Sequence, residues 1–90
     1  MFVSLFYLNL RTTTDLIGDE DGYEFASLAA AEANAIVSAR DIMSEAVQDG
    51  DLQLGESIEI HDAAGRFLSA VHFCDVLKIR LGVREIVARA

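Results

Sequence analysis

Apolar residues follow several different rhythms along this chain, and each rhythm predicts an element. Residues 2–10 (FVSLFYLNL) are almost continuously apolar, as in a strand buried on both faces. Phe6, Leu8 and Leu10 point one way; Val3, Leu5, Tyr7 and Asn9 point the other. A polar connection follows from Thr12, with Gly18 and Asp21-Gly22 as turn signals, and Gly22 to Phe25 predicts a short strand returning beside the first. From Ser27 the period changes. Leu28, Ala31, Ala35, Ala39, Ile42 and Ala46 recur at helical spacing, flanked by Ile36, Met43 and Val47. Ser27 suits the N-cap, and Gly50 suits a left-handed C-terminal cap.

Period two returns at residues 57–73. Ser57–His61 and Arg66–Phe73 flank Asp62-Ala-Ala-Gly65, which predicts a β-hairpin. Pairing His61 with Arg66 places Phe67, Val71 and Phe73 on the helix-facing side with Ile58 and Ile60. A slip of one residue would turn Leu68 and Ala70 inward instead, and burial of both phenylalanines favours the first register. After Asp75, the spacing of Val76, Ile79, Val83, Ile86 and Ala90 predicts a second amphipathic helix. Gly82 costs that helix about 1 kcal/mol relative to alanine, so it must dock on something.

The fold class is therefore α+β, in the order β-β-α-β-β. A short antiparallel sheet carries one long helix on one face, followed by a C-terminal amphipathic helix. Residues 1–75 form the domain, and 76–90 a docking or dimerisation segment. A domain of 90 residues hides only about two-thirds of its unfolded surface. Its 52% apolar content therefore exceeds what a thin core absorbs. The surplus falls on the sheet face away from the helix, at Val3, Leu5, Tyr7, Leu68 and Ala70, and on the tail stripe of Val76, Ile79, Val83 and Ile86. These nine residues are the expected interface of a homodimer.

Charge narrows the partners. The net charge of −8 is split: residues 1–62 hold two bases against thirteen acids, whereas residues 63–90 hold five bases against Asp75 and Glu85. The acidic part repels phosphate backbones, so nucleic acid is not an expected partner. No apolar run approaches the roughly 18 residues of a membrane span. Cys74 is the only cysteine, which excludes an internal disulfide and fits a reducing, cytoplasmic setting.

Candidate chemistry is sparse, and neither a cofactor nor a metal is expected. Asp19-Glu-Asp21-Gly22 invites a calcium-loop reading, but aligning Gly22 with the loop glycine puts Ile17 and Leu28 at ligand positions. His61 and His72 fall about 20 Å apart on the predicted hairpin, too far to share an ion within one subunit, and only a symmetric dimer could bring them together. Glu32 projects toward the apolar helix stripe and needs a partner; Arg11 is the candidate for a structural ion pair. Cys74 and His72 share a strand face, without an orienting third group or an oxyanion site. The expectation is a non-enzymatic interaction or regulatory module.

The run from Phe6 to Leu77 resembles a family of small proteobacterial proteins defined only as a domain of unknown function. The resemblance rests on Phe6-Tyr-Leu-Asn-Leu10, Asp19-x-x-Gly22 followed by Glu24, Glu32-Ala33, Asp62-x-x-Gly65-Arg66 and Val71-His-Phe-Cys-Asp75. Proline is expected at position 72, where this chain has His72. The family implies a fold and no catalytic residues. The order of strand, acidic turn, strand and Ala/Glu-rich helix is also similar to HicAB-type antitoxins. That implies, as an alternative, binding of a small basic protein.

Overall fold

In the computed structural model, which describes residues 3–82 and 84–86, one long helix lies on one face of a five-stranded antiparallel sheet. The strands are β1 (Ser4–Arg11), β2 (Leu16–Ile17), β3 (Tyr23–Phe25), β4 (Ser57–Asp62) and β5 (Phe67–His72). The helix α1 spans Leu28–Gln48 between β3 and β4. Strand β1 pairs with β4, and β4 with β5, while β2 and β3 both pair with β1. The two short strands lie end to end because the chain loops out between them at Gly18–Gly22. There Asp19 substitutes for strand backbone: its carboxylate accepts from the Leu8 N–H (3.5 Å) and the Gly22 N–H (3.2 Å). Gly22 has φ +71°, and a Cβ there would sit 3.0 Å from the Phe6 carbonyl oxygen, so only glycine fits this approach to β1.

Both predicted caps of α1 are present. The Ser27 hydroxyl accepts from the Ala30 N–H at 3.1 Å. At the other end Gly50 N–H bonds to the Val47 carbonyl and Asp51 N–H to the Ala46 carbonyl, a Schellman closure. Ala31, Ala35 and Ala39 are fully buried; their small side chains let the helix axis approach the sheet. Phe6, Met43, Ile58, Ile60, Val71 and Phe73 complete the buried core.

The predicted order β-β-α-β-β lacks β2: Leu16–Ile17, within the stretch expected as a polar connection, pairs with Leu10 and Arg11. Two further expectations are corrected. Phe67 does not face the helix; it is 58% exposed. The ladder shifts between Ile60 and His61, so Ile60 faces Ser69 while His61 faces Phe67. This bulge adds one residue to β5, which leaves Val71 inside and turns Phe67 outside. The second correction concerns the tail. Where a helix is predicted, Ile79–Leu81 (β6) pairs antiparallel with Arg84–Ile86 (β7), and Gly82 opens the turn at φ +61°. β-Branched residues and a mid-segment glycine both disfavour a helix that nothing buries. Val76 and Leu77 pack against the core, just beyond a 3-10 turn at Phe73–Asp75.

Candidate functional site

The helix closes one face of the sheet; the other face holds Leu5, Tyr7 and Ala70, three of the nine residues expected at an interface. Alternation along β1 puts Leu5, Tyr7, Asn9 and Arg11 there, opposite the buried Phe6 and the partly buried Leu8 and Leu10. The register then builds rows across three strands. Tyr7 faces His61, which faces Phe67; Asn9 faces Glu59, which faces Ala70; Arg11 faces Ser57, which faces His72. The first row is aromatic, with the His61 and Phe67 rings edge to face at 5.8 Å between centroids.

The middle of this face is polar and internally matched. Arg11 Nε donates to Glu59 Oε2 at 2.8 Å, and His61 Nε2 lies 3.0 Å from Glu59 Oε1. The hydrogen bond from Arg11, followed by that from His61, holds the Glu59 carboxyl below the usual carboxylate range. His61 Nδ1 also lies 3.3 Å from the Gly65 carbonyl oxygen. Both of its partners only accept, so making both bonds at once takes a ring protonated on both nitrogens. At the rim, Asp62 Oδ1 accepts from the Ala64 and Arg66 N–H groups, each at 2.9 Å, and Asp62 Oδ2 accepts from Arg66 Nε at 2.9 Å. The backbone bond from Arg66 is the largest cause lowering the Asp62 carboxyl. Asn9 Oδ1 accepts from the Asp19 N–H at 2.8 Å. Between these two loops Tyr7, Asn9, Asp19, His61 and Asp62 line an open groove of about 470 Å³.

The predicted site residues separate into groups. Leu5 and Leu68 line one shallow groove with Ala63 and Ala64, while Tyr7 lines the other. Leu68 is 38% exposed and Val3 50% exposed; Ala70 is half-buried. Val76 and Ile79 are half-buried, and Val76 packs on the core rather than on a helix stripe. Ile86 enters β7 opposite Ile79, and Val83 lies outside the described residues. The Arg11–Glu32 pair does not form: Arg11 sits on the outer face with Glu59, and Glu32 accepts instead from the Ser69 hydroxyl at 2.6 Å. His72 and Cys74 do not share a face. The strand ends at His72, and the turn that follows buries Cys74 while His72 stays exposed.

Sequence reasoning missed the Glu59-centred cluster. Strand alternation places Arg11, Glu59 and His61 at outward-facing positions, but the β1–β4 register that brings them together is not carried by any local signal. Among the described residues no group of three or more His, Cys, Asp or Glu is placed to hold a metal ion, and no helix is long and apolar enough to cross a membrane.

A family model for a domain of unknown function, DUF6894, matches residues 5–74, and the chain belongs to that family. No curated protein and no solved structure matches the chain, and no match supports the looser likeness to HicAB-type antitoxins.

Proposed function

We propose that this member of the DUF6894 family is a small, non-enzymatic interaction module that acts in the cytoplasm as a homo-oligomer. The observation that carries this reading is the one-sided sheet. Helix α1 covers one face, while Leu5, Tyr7, Phe67, Leu68 and Ala70 surround the Arg11–Glu59–His61 cluster on the other. Phe67 and Leu68 are exposed and Leu5, Tyr7 and Ala70 half-buried, and apolar groups gathered at one place on a small domain mark an interaction surface. The polar groups beside them bond to one another, which suits a surface that recognises rather than reacts. A single buried thiol, Cys74, is compatible with a reducing compartment.

The test is the mass of the full chain in solution. Light scattering at micromolar concentration should give twice 9.8 kDa; a monomer overturns the reading. A second reading, neutralisation of a small basic protein, is favoured by the net charge of −8. It requires a basic partner, toxic when expressed alone, whose toxicity is relieved by co-expression of this chain.

A further inference from the structure

The sheet has two edges, and they differ in a way that selects between them. On the β1 side, β2 and β3 are two and three residues long, and the gap between them is plugged by the Asp19 carboxylate. The same edge carries the exposed carboxylates of Asp15, Glu20, Asp21 and Glu24. Two copies meeting there would oppose like charges, a blunted edge in every respect. Strand β5 is the opposite case. Phe67–His72 contains no Asp, Glu, Lys or Arg, and among the described residues no strand lies beyond it.

The hydrogen-bond phase of β5 follows from one contact. The Phe73 N–H bonds to the Glu56 carbonyl at 3.0 Å, so in an antiparallel ladder Val71 and Ser69 also turn their backbone groups toward β4. Ala70 and His72 then present N–H and C=O outward, along an edge flanked by the exposed Phe67 and Leu68. Stacking the outer faces of two copies is the other way to associate. It would bury the Arg11 guanidinium, whose side chain is 46% exposed, at a desolvation cost of several kcal/mol. Pairing at the edge leaves the Arg11 guanidinium in water and adds backbone hydrogen bonds worth about 0.5–1.5 kcal/mol each.

We infer that β5 pairs antiparallel with β5 of a second copy about a two-fold axis, joining two sheets into one with both helices on the same face. The inference rests on the self-association proposed above and places its seam at the edge of that apolar face, beside the exposed Phe67 and Leu68, rather than across it. On a chain of net charge −8, this uncharged edge lets a second copy approach without setting like charges directly opposite each other.

His72→Pro tests it directly. His72 has φ −84°, close to the proline value of about −65°, and its N–H faces away from β4, so the substitution removes an outward donor at little cost to the fold. The full-length variant should keep its far-UV circular dichroism and lose half its mass by light scattering, under conditions where the wild type is dimeric. A second measurement uses Ala70→Cys with Cys74→Ser, treated with a short thiol-to-thiol crosslinker. It should give a covalent dimer, whereas Glu24→Cys with Cys74→Ser should not. If the wild type is dimeric but folded His72→Pro stays dimeric and Ala70→Cys does not crosslink, the seam lies elsewhere and only this inference falls. If His72→Pro does not fold, the crosslink decides. A monomeric wild type removes this inference and the proposed function together.

Discussion

Replacing Gly22 by alanine should destabilise the protein through two separable effects, and Gly65→Ala isolates one of them. Both glycines have positive φ, +71° and +83°. An alanine there loses about 1–2 kcal/mol to the left-handed backbone conformation. At Gly65 that is the whole effect, because a Cβ would meet nothing within 4 Å. At Gly22 the Cβ would lie 3.0 Å from the Phe6 carbonyl oxygen, 3.1 Å from Leu5 Cδ1 and 3.2 Å from Tyr7 Cε2. The two side chains can turn aside. The carbonyl cannot, because Phe6 is held in the ladder opposite Tyr23. Overpacking of this kind costs about 1–3 kcal/mol. For a domain of this size each kcal/mol lowers Tm by about 4–8 °C. Gly22→Ala should therefore melt roughly 5–20 °C below Gly65→Ala, read by paired thermal melts in circular dichroism at one pH. Equal shifts for the two variants would refute the argument that the Asp19–Gly22 turn is pressed against β1.

Acid stability should report on Glu59, whose carboxyl is lowered chiefly by Arg11 and then by His61. A lowered carboxylate stabilises the fold above its unfolded pKa of about 4.3, and that contribution disappears as pH falls through the folded value. Glu59→Gln should flatten this acid limb in thermal melts below about pH 5, and an unchanged limb would place the acid sensitivity on other carboxylates. Truncation should distinguish the two parts of the tail. A chain ending at Lys78 keeps Val76 and Leu77 on the core, with Arg40 Nε donating to the Val76 carbonyl, and should unfold within about 1 kcal/mol of the full-length protein. A chain ending at Asp75 loses both side chains and should unfold about 2–3 kcal/mol more easily by urea titration, given their partial burial.

Local chemistry was legible in the residues alone. Ser27 and Gly50 bracket the helix because a hydroxyl before the first turn and a left-handed glycine after the last satisfy stranded backbone groups wherever they occur. The Asp62–Gly65 turn and the return of β3 beside β1 follow from equally local signals. Long-range pairing was not legible. Phe67 and Leu68 offer the same apolar pattern with or without a bulge, and the ladder to β4 decided which of the two faces of the sheet Phe67 would occupy. The same holds for Arg11: sequence offers it many carboxylates, and only the register opposite Ser57, two residue pairs from Glu59, selects its partner. In the tail, a 3-4 spacing fits a helix and β-branched residues fit strands. A helix there would need an apolar surface to cover, and Val76 and Leu77 had already turned to the core, which left the following residues to pair with each other. The sequence thus determined the long helix, its caps and the hairpin turn, while only tertiary pairing decided the form of the tail and which face each outward residue meets, because a one-residue shift in a strand reverses every side chain beyond it.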